Sequence, residues 1–137
     1  MYRPKYWSYA PYMGRITIDI PSRTLVFAYA GRTYGPYPVA LGKPSTPTPA
    51  GHWKVTEKDP NPWWEALGSR WMGLDVPWGR YGIHGTNAPW SIGRYISNGC
   101  IRMYNHDVET IYPLVVLETP VDIVGSYPVS RYTRVER

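Results

Sequence analysis

From Arg15 onward, apolar residues fall on every second position: Ile16, Ile18 and Ile20, then Leu25, Phe27 and Tyr29 after a Pro21-Ser22-Arg23 break. A period of two puts them on one face of an extended chain, and pairing in a sheet lets that face be buried while the backbone stays hydrogen-bonded. The segment predicts a β-hairpin that ends at Ala30-Gly31. Beyond it, 15 prolines and 13 glycines, with 13 Tyr and 7 Trp beside a single Phe, favour short extended pieces joined by turns. A mainly β fold is expected.

A third extended segment places Tyr37, Val39 and Leu41 on one face beside the hairpin. Pro36 and Pro38 lack backbone donors, so this strand suits a sheet edge or a bulge. Lys43 to Gly51 holds three prolines and reads as a rigid loop entering the alternating His52-Trp53-Lys54-Val55-Thr56. Asp59 to Ser69 is irregular yet aromatic, and reads as an ordered loop able to cover a cleft. Tyr81 to Gly85 predicts a short strand with His84 at its end, and Thr86 to Ser97 a polar loop. Asn105 is a candidate N-cap, followed by Asp107 and Glu109 and an apolar stripe of Val108, Ile111 and Tyr112; Pro113 should end or kink that helix. A last strand, Val121 to Val124, precedes a basic tail from Gly125 to Arg137.

At 137 residues the chain is expected to form one domain over 1–137, with a core of about 15–124. No run of about 18 apolar residues suggests a membrane span, and Met1 to Trp7 lacks the apolar stretch of a secretory signal. The formal charge of +5 is scattered, with no basic cluster or nucleic-acid motif, so nucleic acid is not expected as a partner. Three widely spaced histidines and one cysteine offer no metal-ligand pattern. Glycine-rich phosphate loops and a Gly-x-Ser-x-Gly elbow are absent, so neither a cofactor nor serine chemistry is expected.

The lone thiol therefore concentrates the chemistry. Cys100 follows Gly99, whose freedom allows a tight turn with outward-facing amides that could hold an oxyanion. A thiol with a pKa of roughly 8.5 needs a base or a positive charge nearby to act as a nucleophile at neutral pH. His84 and Arg102 are the candidates. From residue type alone, Cys100 also fits a small core hydrophobe and His84 a hydrogen-bonded strand residue.

Two segments decide between these readings. Tyr81-Gly82-Ile83-His84-Gly85-Thr86-Asn87 and Ser97-Asn98-Gly99-Cys100-Ile101-Arg102-Met103-Tyr104-Asn105, with sixteen positions from His84 to Cys100, resemble the paired signature of the YkuD family of L,D-transpeptidases. The hairpin, Val39-Ala40-Leu41-Gly42-Lys43 and Thr46-Pro47-Thr48-Pro49-Ala50-Gly51 resemble that family's N-terminal half. The resemblance implies a β-sandwich of mixed sheets with one or two short helices. It further implies Cys100 as nucleophile, His84 as general base and the Gly85 carbonyl as orienter of the imidazole. Gly99 and Cys100 would supply oxyanion-hole amides, and Arg102, Asn98, Ser97 and Tyr81 would contact substrate. Asn98 stands where many members carry a histidine. His52 and His106 match no catalytic position.

The activity so implied is attack of Cys100 on the third-residue carbonyl of a peptidoglycan stem tetrapeptide, release of D-Ala, and transfer of the thioester to an amine to give a 3→3 cross-link. Water as acceptor would make the chain an L,D-carboxypeptidase, and carbapenems would acylate the same thiol. The alternative from another class is a non-catalytic cell-wall or carbohydrate-binding module. Trp63, Trp64, Trp78 and Trp90 suit either a sugar-peptide groove or a core. A monomer in an extracytoplasmic, cell-wall setting is the expectation that follows from the substrate.

Overall fold

The computed structural model describes residues 13–129. The alternation beginning at Arg15 forms strands β1 (Arg15–Asp19) and β2 (Thr24–Tyr29), paired antiparallel from Arg15↔Ala28 to Asp19↔Thr24. Ile16, Ile18, Leu25 and Phe27 are fully buried. Each such side chain is worth about 1.5–3 kcal/mol relative to an exposed one, which fixes the register, because a one-residue slip would turn the whole set to solvent.

The remaining strands are β3 (Arg32–Gly42), β4 (Gly51–Asp59), β5 (Trp71–Leu74), β6 (Gly82–His84), β7 (Tyr95–Ser97), β8 (Ile101–Met103) and β9 (Pro120–Val124). Among the described residues the α-helix is α1 (Asn105–Ile111). Strand neighbours run β2-β1-β9-β4-β5-β6-β8-β3-β7, and β2 also pairs with β3, so eight strands close on themselves with β7 alongside β3. Pairs β1–β9, β6–β8 and β3–β7 are parallel and the others antiparallel. This is the mainly β, mixed-sheet sandwich with a short helix that the sequence led us to expect. Its interior joins Ile16, Ile18, Phe27, Val121 and Ile123 from one layer to Val39, Met72, Ile83, Ile101 and Met103 from the other, with Val108 and Ile111 of α1.

Three expectations are corrected. β3 is no edge, since β2 pairs with its first part and β8 and β7 with its end. The bulge option holds: Gly35 and Pro36 together face Val26 alone, in the shift between Leu25↔Tyr37 and Phe27↔Tyr34. The Thr86 to Ser97 loop contains a 3-10 turn, Pro89–Ser91, and strand β7. The helix begins where expected, but its N-cap position is Tyr104 and no side chain caps it; Asn105 is engaged elsewhere. Pro113 falls in a 3-10 turn, Tyr112–Leu114, that tightens the helix end.

Trp63, Trp64, Trp78 and Trp90 are 56–64% exposed, so the core-filling role considered for them is excluded. Of the basic tail, Tyr127 packs against the core, and residues 130–137, like 1–12, lie outside the described residues.

Candidate active site

Parallel pairing of β6 with β8 aligns Ile83 with Ile101 and His84 with Arg102. Both isoleucines are buried in the interior, so strand alternation turns His84 and Arg102 to the opposite face of the layer. Cys100 stands immediately before β8. His84, Cys100 and Arg102 line one cavity of about 180 Å³, together with Ser97 and Asn98 on one side and Trp64, Ala66 and Leu67 on the other. The Asp59 to Ser69 segment therefore covers a cleft, as its composition suggested.

His84 is only 4% exposed. Its ring stacks on Trp71 of β5, with centroids 5.8 Å apart and planes at 23°. Nδ1–H donates to the Gly85 carbonyl at 2.5 Å, so in the neutral ring the lone pair lies on Nε2. Burial drives the imidazole pKa down to about 4; the Gly85 and Leu67 carbonyls oppose that, and the Arg102 charge adds to it. Burial likewise pushes the Cys100 thiol up, against the Gly82 N–H, Arg102 and Arg80, which favour the thiolate. At neutral pH the cavity holds an uncharged imidazole and an uncharged thiol, which donates to the Arg80 carbonyl at 3.7 Å.

The Cys100 turn is held from three directions. Ser97 Oγ donates to the Cys100 carbonyl at 2.7 Å and accepts the Gly99 N–H at 3.0 Å. Thr46 Oγ1 donates to the Ser97 carbonyl, and the buried Thr48 Oγ1 donates to the Gly99 carbonyl while accepting the Gly42 N–H. Tyr127 Oη accepts the Thr48 N–H and donates to the Gly42 carbonyl. Gly99 has φ 125°, a conformation that a side chain there would strain.

These contacts bear on three of the residues the sequence singled out, Gly99, Ser97 and Tyr81. The Gly99 amide, expected in the oxyanion hole, is taken by Ser97 Oγ. Ser97, expected to contact substrate, is 3% exposed and braces the turn from within. Tyr81 lies outside the cavity lining and packs beside Gly99, where a Cβ would come within 2.6 Å of its ring. Asn98 is exposed, lines the cavity and accepts from Lys43 Nζ at 3.2 Å.

Sequence reasoning missed the roles of Thr46, Thr48, Trp71 and Asn105. The hydroxyls were visible as the Thr-Pro alternation, read there as a rigid loop and as part of the family resemblance, without a role for either threonine. Asn105 Oδ1 accepts the Thr86 N–H at 2.9 Å and the Ser69 N–H at 3.2 Å, joining the turn after His84 to the covering segment and to α1. Gly85 leaves room for it, since a Cβ there would lie 2.0 Å from that oxygen. Among the described residues no three His, Cys, Asp or Glu side chains stand together as a metal site, and no helix is long and apolar enough to cross a membrane.

The chain resembles known proteins over the same region. A YkuD protein of Bacillus licheniformis, named for L,D-transpeptidase function, is 42% identical over 109 residues, covering 80% of this chain; the match spans 64% of that relative's length. The catalytic domain of the Enterococcus faecium L,D-transpeptidase, solved by NMR, superposes with a TM-score of 0.70 at 25% identity, covering 81% of this chain and 96% of that one. L,D-transpeptidase 3 from Mycobacterium tuberculosis, crystallised with a faropenem-derived adduct, has the same fold, with a TM-score of 0.70 at 20% identity over 82% of this chain and 60% of that one. Residues 13–123, which carry the strands, the cavity and both signature segments, match the description of the L,D-transpeptidase catalytic domain, and the chain belongs to the YkuD family.

Proposed function

We propose that the chain is a cysteine-dependent L,D-transpeptidase acting on peptidoglycan stem peptides in an extracytoplasmic setting, with residues 1–137 as one catalytic domain. The observation that carries this reading is the shared cavity of Cys100 and His84, with the His84 tautomer set by the Gly85 carbonyl. The Cys100 sulfur attacks the carbonyl of the third residue, an L-centred diamino acid. His84 Nε2 takes the thiol proton and returns it to the departing D-Ala amine as the C–N bond breaks. The Cys100 amide holds the tetrahedral oxygen, with the Gly82 N–H beside the sulfur. An amine of a second stem then attacks the thioester, His84 again carries the proton, and a 3→3 cross-link forms.

The test is incubation with a disaccharide-tetrapeptide, reading intact protein mass and products, with Cys100→Ala as control. A thioester on the wild type only, with D-Ala released and a cross-linked dimer formed, supports the reading. Tripeptide in place of dimer assigns the carboxypeptidase variant, and a carbapenem adduct confined to Cys100 supports the same nucleophile. A second reading, a cell-wall-binding module without turnover, draws on the four exposed tryptophans. It predicts binding to wall sacculi that survives Cys100→Ala, with no adduct in either protein.

A further inference from the structure

Arg80 and Arg102 both line the cavity beside Cys100, Arg80 with its carbonyl 3.7 Å from the sulfur, and no carboxylate side chain contributes to the lining. Arg102 projects from β8, and among the described residues its guanidinium has no hydrogen-bond or ion-pair partner. Arg80 is held in place from outside the cavity. Its guanidinium carbon lies 4.5 Å from the Trp63 ring centre and 5.5 Å from that of Trp71. Its Nη2 meets the Glu57 carboxylate at 3.3 and 3.4 Å, and that carboxylate also accepts the Trp71 indole N–H at 2.9 Å. Two aromatic contacts and a long ion pair restrain the group, while Nη1 and Nε have no acceptor among the described residues. A restrained guanidinium with donors open is suited to taking a carboxylate through paired hydrogen bonds.

We propose that Arg80 and Arg102 form a carboxylate subsite beside Cys100, in which Arg80 selects donor peptides whose diamino acid bears a free side-chain carboxylate over those where it is amidated. The peptide part rests on the function proposed above; the anion preference does not. Arg102 sits beside the His84–Cys100 machinery, whereas Arg80 is anchored on the covering segment and β5, so Arg80 sets preference more than turnover.

The test compares iodoacetate with iodoacetamide, reagents of similar size that differ in a carboxylate, as alkylators of Cys100. Rates are read by intact mass and divided by those of N-acetylcysteine. A change in thiolate fraction alters both rates alike, so the ratio isolates recognition of the anion. The wild-type ratio should exceed that of the small thiol by about tenfold at low salt and fall towards it at high salt. Arg80→Gln should lower the ratio severalfold, and Arg80→Lys should keep most of it. With tetrapeptides bearing the side-chain carboxylate or its amide, the kcat/KM preference for the acid should drop about tenfold in Arg80→Gln. A wild-type ratio no higher than the small thiol's, or one unmoved by Arg80→Gln with Tm unchanged, overturns the subsite. A ratio that responds to Arg80 in a protein that turns over no tetrapeptide keeps the subsite and removes the transpeptidase. Equal turnover of acid and amide by the wild type removes the selectivity and leaves the transpeptidase standing.

Discussion

Asn105 and Gly85 should behave as one unit. Asn105→Ala removes the acceptor of two backbone donors, Thr86 N–H at 2.9 Å and Ser69 N–H at 3.2 Å. Thr86 is buried and Ser69 half-buried, so the loss should come to about 2 kcal/mol, a fall of about 6 °C in Tm for a chain of this size. Gly85→Ala would place its Cβ 2.0 Å from Asn105 Oδ1 and 2.9 Å from Ser69 N. The carboxamide has to swing away and surrender the same two hydrogen bonds, at a cost of about 2–3 kcal/mol. Because each change breaks what the other breaks, the double variant should lose about as much as one single, a coupling of about 2 kcal/mol. Urea titrations followed by circular dichroism measure all three variants, with unchanged slopes as the check that the unfolded state is the same. In a donor assay kcat should fall by about tenfold in each single and no further in the double, since both free the Gly85 carbonyl that orients His84. Additive stability losses, or a double variant with a further tenfold loss of kcat, would refute a shared junction.

Three further outcomes follow from the same geometry. His84 is held neutral, with its pKa moved from 6.5 down to about 4, so the unfolded chain binds the extra proton between those values and stability falls as pH drops through that window. The loss should approach about 3 kcal/mol at pH 4, and His84→Gln should flatten it in urea midpoints taken from pH 7 to 4. The Cys100 pKa lies above the ordinary value of 9.0 because burial outweighs Arg102 and Arg80; its iodoacetamide rate should inflect on the alkaline side of 9.0, and Arg102→Gln should move the inflection higher. Tyr127→Phe leaves the Thr48 N–H without its acceptor and the Gly42 carbonyl without its donor, and should lower stability by about 1–2 kcal/mol in thermal melts.

How legible this was in the sequence depended on the range over which each signal acts. The hairpin was legible because Ile16, Ile18 and Ile20, then Leu25, Phe27 and Tyr29, repeat with period two on either side of a turn, and all but the half-buried Tyr29 are buried. β7 and β8 were not, because three residues cannot display a period and their pairing partners lie on β3 and β6, far away in the chain. Cys100 and His84 were legible through the residue types beside them. The supports were harder: Thr48 holds Gly99 across 51 positions and Tyr127 holds Thr48 across 79, distances at which no local pattern speaks. Asn105 shows a different limit. Its type and its place before an apolar helical stripe fit an N-cap, yet the Ser69 and Thr86 amides, brought close by β5 and β6, take its oxygen instead.

The uncharged state of the resting pair sets the order of events at Cys100. Moving a proton from a thiol raised above its ordinary range to an imidazole lowered to about 4 is uphill before the attraction of the resulting ions is counted. In the proposed reaction this disfavours a preformed thiolate-imidazolium pair, and proton transfer to His84 would accompany C–S bond formation. In that step the negative charge would pass to the carbonyl oxygen, which the proposed Cys100 amide would meet, and would not rest on sulfur in the buried cavity. Reactivity then depends on the electrophile having such an oxygen. A strained β-lactam carbonyl offers one and an alkyl halide does not, so the rate of Cys100 relative to N-acetylcysteine should be far higher with a carbapenem than with iodoacetamide. Equal relative rates for the two reagents would mean that the thiolate is already formed before the electrophile arrives, and that the burial of His84 and Cys100 does not govern the chemistry.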